Sequence, residues 1–278
     1  MKKLLKIIKR GLRYIIKGVP IVRPKIVYTN SSQKLKGKNI LITGGSSGIG
    51  FSIAKKSVEE GANVVITGRN EKKLKEAVGK ISESCKFLVW DVKDVKSTKE
   101  MLIEAEKLIE GNFDCLVSNA GISLHEGSFE NVTEETWDAQ MDINLKGNYF
   151  LTKTFAESMV QNKIGNGNIL VISSERANRS DDIPYGISKV GTNSFVKAMA
   201  SKLINKGIRI NVLSPGVTLS DMIQMSNKDS LYESYQPQKR IFLPEEMAEV
   251  ACFLLSDISN CISGEVITCD QGRYISTW

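Results

Sequence analysis

The fold of this 278-residue chain is decided by the stretch Asn39-Ile-Leu-Ile-Thr-Gly-Gly-Ser-Ser-Gly-Ile-Gly50. Its first five residues are typical of a buried strand, and the segment Phe51–Glu60 after the glycines is typical of a helix. Glycines at this junction allow a tight turn and close approach of the backbone to a pyrophosphate. Glycines alone can mark a plain structural turn, but the strand–turn–helix order favours dinucleotide binding. The predicted contacts are Gly44, Ser46, Ser47, Gly48, Ile49 and Gly50.

The rest of the chain repeats this alternation of apolar strand and helix. Short runs rich in β-branched residues predict seven strands. These are Asn39–Thr43, Asn63–Thr67, Cys85–Trp90, Asp114–Ser118, Gly167–Ser173, Ile208–Leu213 and Glu265–Thr268. Nearly continuous apolar strands joined by helices are typical of a parallel sheet that is covered on both faces. We therefore predict a doubly wound, Rossmann-like α/β domain over residues 38–278, with ligands at the carboxyl ends of its strands.

The end of the second strand bears on the choice of dinucleotide. Proteins that prefer NAD usually carry an acid here for the ribose hydroxyls, whereas an arginine accommodates the 2′-phosphate of NADP. This chain has Arg69 and no acid before Glu71. An exposed arginine without a role is the alternative interpretation. The sequence favours NADP(H) over NAD(H).

The formal net charge of +7 is concentrated in the N-terminal region. Residues 1–38 contain twelve of the 38 basic residues and no acid, so residues 39–278 carry 26 basic and 31 acidic residues. A nucleic-acid surface spread over the whole domain is therefore not expected. No apolar run reaches the roughly 18 residues that are needed to span a bilayer.

Residues 1–19 predict a basic amphipathic helix. At about 100° per residue, the apolar side chains fall on one arc and the basic side chains on the opposite arc. Such a helix is typical of attachment to an anionic membrane surface. Packing on the protein's own body or on a partner, and a targeting segment, are alternatives that the sequence leaves open. Residues 20–37, which include Pro20 and Pro24, predict an irregular linker.

The cysteines indicate a reducing compartment. They are Cys85, Cys115, Cys252, Cys261 and Cys269, an odd number without Cys-x-x-Cys spacing. Cys115 and Cys269 lie in apolar, strand-like runs. We predict buried free thiols, no disulfide framework and no metal site. The expected location is the cytoplasm, with peripheral attachment to a membrane face if the N-terminal helix binds lipid.

A candidate catalytic pair lies in Tyr185-Gly-Ile-Ser-Lys189. Positions i and i+4 share one face of a helix. An ammonium close to a phenol favours the phenolate and lowers the tyrosine pKa from its usual value of about 10. The phenol then becomes a proton donor and acceptor near neutral pH. A solvated helix face is the usual meaning of this spacing on its own, but the glycine turn upstream favours catalysis.

Together these motifs resemble the short-chain dehydrogenase/reductase family over about residues 38–273, in its single-domain branch. The matching motifs occur in the family's order. They are Thr43–Gly50, Asp91-Val92, Asn119-Ala120-Gly121, Asn144, Ser174, Tyr185, Lys189 and Pro215-Gly216.

The resemblance implies a role for each matching residue. Tyr185 exchanges a proton with the substrate oxygen, and Ser174 hydrogen-bonds the same oxygen. Lys189 holds the nicotinamide ribose and lowers the tyrosine pKa, while Asn144 anchors a water that relays protons to Lys189. The remaining implied cofactor contacts are Arg69 at the phosphate, Asp91 and Val92 at the adenine, Asn119 at the adenosine ribose, its neighbours Ala120 and Gly121, and Pro215, Gly216, Thr218 and Ser220 along the nicotinamide.

The chain departs from the family pattern in places. Ser174 lies eleven residues before Tyr185, where twelve or thirteen is usual, so Ser173 is an alternative for its role. The loop of residues 175–184 is unusually polar. Ser220 stands where threonine is more usual.

The resemblance implies an NADP(H)-dependent oxidoreductase that interconverts a carbonyl and a secondary alcohol. A catalytically silent nucleotide-binding scaffold is the alternative from another class, and an epimerase or dehydratase is the alternative among enzymes. The polar loop favours a hydroxylated or charged substrate, whereas a membrane-bound tail favours a lipid, steroid or acyl substrate. Residues 220–242 close over the substrate or form a surface insertion. Helices near residues 134–162 and 184–206 are expected to build a homodimer or homotetramer.

Overall fold

The computed structural model describes residues 33–220 and 230–274. Its strands are β1 Asn39–Thr43, β2 Asn63–Gly68, β3 Lys86–Val89, β4 Cys115–Ser118, β5 Gly167–Ile172, β6 Ile208–Pro215 and β7 Val266–Cys269. Its α-helices are α1 Gly48–Glu59, α2 Glu71–Ile81, α3 Thr98–Leu108, α4 Glu134–Met141, α5 Asn148–Gln161, α6 Pro184–Leu203 and α7 Pro244–Leu255. A π-helix, Asp142–Gly147, joins α4 to α5, and a short 3₁₀ helix, Glu175–Asn178, precedes α6.

The strands form one parallel sheet, as the sequence predicts. Its order is β3-β2-β1-β4-β5-β6-β7. The chain winds outward from β1 to β3 and then returns to place β4 on the other side of β1. Ile40 is therefore paired with Val64 on one side and with Cys115 on the other. This reversal opens a crevice at the carboxyl ends of β1 and β4, which is where doubly wound sheets bind ligands.

Apolar side chains fill both faces of the sheet. One face is covered by α1, α2 and α7, which contribute Ile53, Leu74 and Met247 to the core. The other face is covered by α3, α5 and α6, with Leu102 and Phe155 among the buried residues. Burial on both faces explains why these strands show continuous apolar runs instead of alternation.

The strand boundaries differ from the predictions by small shifts that the pairing explains. β1 has its predicted bounds. β6 runs on to Pro215 because Ser214 and Pro215 pair with Thr268 and Cys269. β3 is shorter than predicted, at Lys86–Val89, because it is an edge strand that pairs with β2 alone. β2, β4, β5 and β7 differ by one residue at one or both ends, and α1 begins at Gly48, within the glycine turn.

The predicted amphipathic helix of residues 1–19 and most of the predicted linker lie outside the described residues. The last linker residues form a turn on the domain. There Leu35 is fully buried in the core, and its N–H donates to the carbonyl of Glu60 at 3.1 Å. The end of the predicted linker is thus anchored to the end of α1.

Candidate active site

The glycine turn has the tight geometry that the sequence predicts. Gly44 has a φ of +66°, a conformation that side-chain-bearing residues rarely adopt. A Cβ atom at Gly50 would lie 2.4 Å from the carbonyl oxygen of Gly44, so only glycine fits there. Because α1 begins at Gly48, the N-terminal backbone N–H groups that have no partner within the helix lie at this turn. The turn therefore fits the pyrophosphate of a dinucleotide.

Asn119, at the end of β4, fastens the turn to the crevice. Its Nδ2 donates to the carbonyl oxygens of Thr43 at 2.9 Å and Gly44 at 3.1 Å. The hydroxyl of Thr43 accepts from the backbone N–H groups of Asn119 and Ala120, both at 3.1 Å. These bonds hold together the ends of β1 and β4, the two strands between which the strand order reverses.

The predicted adenine-side residues lie at the same edge of the sheet. Arg69 follows β2 directly, and its side chain is exposed. Asp91 accepts the backbone N–H of Lys93 at 3.0 Å. Val92 is buried, and a Cβ on Gly147 would lie 2.5 Å from its carbonyl oxygen. The ends of β2 and β3 thus bring these residues to the side of the crevice that lies beyond β1.

The segment after β6 returns to the glycine turn from the other side. Gly216 donates its N–H to the carbonyl of Cys269 at 2.9 Å, and the hydroxyl of Thr218 donates to the carbonyl of Gly216 at 2.8 Å. A Cβ on Gly48 would lie 3.2 Å from the Cβ of Ser220. The predicted nicotinamide-side segment, from Pro215 to Ser220, therefore reaches the start of α1 at Ser220. Residues 221–229, in the segment predicted to close over substrate, lie outside the described residues.

Tyr185 lies in the first turn of α6, which starts at Pro184, a position where proline is favourable. The hydroxyl of Ser174 hydrogen-bonds Tyr185 and also accepts the backbone N–H of Arg176 at 3.3 Å. The hydroxyl of Ser173 is directed elsewhere, since it donates to the carbonyl of Lys189 at 3.3 Å. Of the two candidate serines, the structure thus places Ser174 at the phenol.

Lys189 and Asn144 meet beside the tyrosine. The buried Nζ of Lys189 lies 5.7 Å from the centroid of the Tyr185 ring and donates to the carbonyl of Ile172 at 3.1 Å. A Cβ on Gly121 would lie 3.2 Å from Oδ1 of Asn144 and 3.6 Å from Nζ of Lys189. The structure thus brings all four predicted catalytic residues to the carboxyl ends of β4 and β5.

Asn144 lies in the π-helix, a feature that the sequence did not predict. Single-turn π segments within α-helices are frequent at functional sites. Asn144 exchanges two hydrogen bonds with the backbone of Ile122, both at 2.8 Å. Asn148 was also missed: its Nδ2 donates to the carbonyls of Asn144 and Ala120, both at 3.0 Å. Its position four residues after Asn144 was the available signal.

The pKa of Tyr185 moves in the opposite direction to the one predicted. Tyr185 is half-buried, and the protein around its hydroxyl raises its pKa above the ordinary 10.0, while the Ser174 hydrogen bond and the Arg176 charge offset part of the rise. Burial lowers the pKa of Lys189 to about 8. In this structure the net effect on the phenol is opposite to the predicted one, because loss of water raises the pKa of Tyr185 and the ammonium of Lys189 bonds a backbone carbonyl.

The polar loop between Ser174 and Tyr185 contains two ion pairs that were not predicted. Arg176 makes two hydrogen bonds to Asp181, at 2.5 and 2.7 Å. The buried Glu175 accepts a hydrogen bond from Arg273, close to the C-terminus, at 2.6 Å. The unusual polarity of the loop was the signal for these pairs, but the sequence did not show which charges meet.

The cysteines agree with the prediction in part. Cys85, Cys115 and Cys252 are buried, and Cys115 and Cys269 lie in strands as expected. The prediction of a buried thiol is wrong for Cys261, which is exposed beyond the end of α7. Within residues 33–220 and 230–274, no cluster of His, Cys, Asp and Glu is placed to hold a metal ion. In the same ranges, no helix has both the length and the apolar character to cross a bilayer.

A dinucleotide turn lies beside an Asn, Ser, Tyr and Lys set where the strand order of a doubly wound sheet reverses, and this combination defines a class of nicotinamide-dependent oxidoreductases. Residues 44–273 match a family model described as Enoyl-(Acyl carrier protein) reductase. The chain belongs to the short-chain dehydrogenase/reductase family and is an NAD(P)-dependent oxidoreductase.

Several known proteins are similar over most of the chain. Dehydrogenase/reductase SDR family member 4 of Homo sapiens is 31% identical over 86% of this chain and 88% of its own length. The L-rhamnose 1-dehydrogenase (NADP(+)) of Thermoplasma acidophilum is 34% identical over 87% of this chain and 98% of its own length. The crystal structure of 3-ketoacyl-(acyl-carrier-protein) reductase from Brucella melitensis complexed with NADH has a TM-score of 0.80 and 28% identity, covering 87% of this chain and 100% of that chain.

Proposed function

We propose that this protein interconverts a carbonyl and a secondary alcohol with NADP(H), and that Tyr185 is its general acid and base. The observation that carries the proposal is the contact of Tyr185 with Ser174 on one side and Lys189 on the other. This cluster lies at the same edge of the sheet as the glycine turn, which fits a dinucleotide. The nicotinamide, when bound, supplies or accepts the hydride.

The residues of the site supply the proton and hold the substrate oxygen. In reduction, Tyr185 donates its proton to the carbonyl oxygen, and in oxidation it accepts the alcohol proton. Ser174 accepts an N–H from Arg176 and interacts with Tyr185, and when substrate binds, the same hydroxyl hydrogen can turn to the substrate oxygen as charge develops there. Lys189 and Asn144 meet at Gly121, where they can hold the ribose and a water that resupplies the proton.

Arg69 supports the preference for NADP(H). Its exposed side chain follows β2, the strand whose end lies beside the adenosine ribose in doubly wound dinucleotide sites. A guanidinium at this point offers several N–H donors to a phosphate. Relatives include a dehydrogenase named for NADP(+) and a reductase solved with NADH, so the preference rests on this residue.

The polar loop supports a hydroxylated or charged small-molecule substrate. Glu175, Arg176 and Asp181 lie near the phenol, and their charges influence its pKa. One relative is named for a sugar, L-rhamnose, and another for a 3-ketoacyl group on acyl carrier protein. A hydroxylated ketone or aldehyde fits the charged surroundings better than a hydrocarbon chain does.

The proposal is tested with purified protein and a panel of sugars, hydroxyketones, aldehydes and ketoacyl thioesters, followed by NADPH absorbance and repeated with NADH. Turnover with at least one hydroxylated carbonyl, and higher kcat/KM with NADPH than with NADH, is the expected result. Saturable NADPH binding without turnover of any compound would favour the catalytically silent scaffold. A clear preference for NADH would contradict the cofactor assignment.

We further propose that residues 1–19 attach the enzyme to an anionic membrane face, because the sequence predicts a helix there with basic and apolar side chains on opposite arcs. The full chain is expected to sediment with vesicles containing phosphatidylserine, whereas a chain that lacks residues 1–19 is not. Leu12→Glu, which places a charge in the apolar arc, should also weaken sedimentation. Equal partitioning of all three proteins would exclude this role and leave a partner or targeting role for the segment.

A homo-oligomer is proposed on an apolar groove across the π-helix, α5 and α6. The groove has a volume of about 510 Å³ and includes Leu145, Tyr149, Phe150 and Phe195. The Tyr149 ring meets the rings of Phe150 and Phe195 edge to face at 5.4 Å, while Phe150 stays 40% exposed. Light scattering is expected to give at least twice the mass of one chain, and Phe150→Glu should lower it. Ile103→Glu, on α3, is the matched control, and a monomeric wild type would contradict the proposal.

A further inference from the structure

The connection from Ser174 to Tyr185 is folded back on itself by one ion pair. Arg176 donates through Nε to Oδ2 of Asp181 at 2.5 Å and through Nη2 to Oδ1 at 2.7 Å. This parallel two-bond arrangement is the strongest form of an arginine–carboxylate contact. The Asp181 side chain is 1% exposed and that of Arg176 is 31% exposed, so the carboxylate is buried and the guanidinium reaches the surface of the site.

Arg176 bonds the Ser174 hydroxyl through its backbone, and Asp181 contacts the backbone on both sides of Tyr185. The backbone N–H of Arg176 donates to the hydroxyl oxygen of Ser174 at 3.3 Å. Oδ1 of Asp181 accepts the N–H of Ile183, the residue that precedes α6, at 3.3 Å. The same carboxylate fills the space beside Gly186, since a Cβ there would lie 2.1 Å from its Cγ. Because Gly186 follows Tyr185 in α6, Asp181 sets the position of the tyrosine's own helical turn.

The pair also contributes charge at the phenol. Four charged side chains face Tyr185, namely Glu175, Arg176, Asp181 and Lys189. The ammonium of Lys189 bonds a backbone carbonyl, and Glu175 is held by Arg273. Among these groups, Arg176 lowers the pKa of Tyr185, whereas Glu175 and Asp181 raise it. Arg176, a cation from the polar loop, therefore favours the phenolate in this structure.

We propose that Arg176 and Asp181 are positioning residues that hold the hydroxyls of Ser174 and Tyr185 together and set the charge at the phenol. The proposal rests on the proposed role of Tyr185 as the general acid and base. It gives the polar loop a second role besides any contact with substrate. Arg176 acts through its backbone on the serine and through its charge on the tyrosine, and Asp181 holds both in place.

Charge-altering variants give opposite expectations. Arg176→Gln removes the cation, so the limb of the pH–rate profile on which alcohol oxidation accelerates with rising pH should move to higher pH. In the same variant, kcat/KM at neutral pH should fall about tenfold. Asp181→Asn keeps the shape of the side chain but removes the anion, so the same limb should move to lower pH. Arg176→Lys keeps the charge and should leave the limb near its wild-type position. If the pair only stabilised the fold, the variants would move this limb in the same direction or not at all.

Two measurements separate this inference from the proposed function. Ultraviolet titration of tyrosinate, with Tyr185→Phe as the reference, reports the phenol without any turnover, and thermal unfolding shows which variants are folded. Opposite shifts of the Tyr185 titration in Arg176→Gln and Asp181→Asn support the pair even if no substrate is found. Turnover with unshifted titration in folded variants, or a loss confined to substrate KM, would overturn the inference. If Arg176→Gln does not fold, the inference is decided by the other two variants. It then requires a shift of the Tyr185 titration to lower pH in Asp181→Asn and no shift in Arg176→Lys.

Discussion

Replacing Tyr185 by phenylalanine is expected to lower kcat/KM for carbonyl reduction by about 10²–10⁴, the usual contribution of a positioned acid or base. The substitution removes one oxygen and leaves the ring that packs below Lys189. The affinity for the dinucleotide should stay within about twofold, because the glycine turn and Asn119 do not depend on the phenol. Steady-state kinetics and a fluorescence titration with NADPH measure the two effects separately.

Tyr149→Phe is the matched control, because it deletes a hydroxyl from the groove of α5 and α6, away from the crevice. Full activity in Tyr185→Phe would contradict the mechanism. The pH dependence gives a second check. Since burial raises the pKa of Tyr185, the protonated phenol predominates at neutral pH and is ready to donate in reduction. Oxidation requires the phenolate, so its rate should rise as the pH approaches that raised pKa.

Replacing Arg69 by alanine is expected to raise KM for NADPH by about 10–100-fold, since a hydrogen bond to a charged group contributes about 1.5–3 kcal/mol. KM for NADH should change little, because NADH lacks the 2′-phosphate. The specificity ratio should therefore shift toward NADH while kcat at saturating cofactor is kept. Initial rates over a range of each dinucleotide, with one fixed substrate, measure this ratio.

Lys80→Ala is the matched control for Arg69→Ala. It removes the same charge from the exposed last turn of α2. A general electrostatic effect would lower NADPH affinity in both variants, more strongly at low ionic strength. A direct phosphate contact affects Arg69→Ala alone. Equal losses for NADPH and NADH in Arg69→Ala would mean that this residue supports the fold of the site and not the choice of cofactor.

The fold was predictable because its signals are local. Continuous apolar runs such as Asn39–Thr43 need burial on both faces, and the helices between them supply the cover. The glycine turn was predictable for the same reason, because the positive φ of Gly44 and the close approach at Gly50 are possible only without a side chain. Strand ends were less predictable, as Pro215 shows: its place in β6 depends on pairing with Cys269, 54 residues later in the chain.

The residues of the site were predicted by type and spacing, but their contacts were not. The sequence left Ser173 and Ser174 as alternatives, and the direction of their hydroxyls distinguishes them only once α6 is packed against β5. It predicted that a lysine one turn away would lower the tyrosine pKa. Helical spacing brings Lys189 near the ring, but it does not show that the ammonium bonds the carbonyl of Ile172.

The sequence by itself determined the doubly wound sheet, the dinucleotide turn and the identity of the residues at the crevice, because each depends on short-range backbone geometry or on hydrophobic pattern. The tertiary structure alone decided the π-helix at Asn144, the pairing of Arg176 with Asp181, and the direction in which burial moves the pKa of Tyr185. These features depend on which polar groups lose water together and which charges meet. Solvation and long-range contact of this kind arise only when distant segments of the chain are packed against one another.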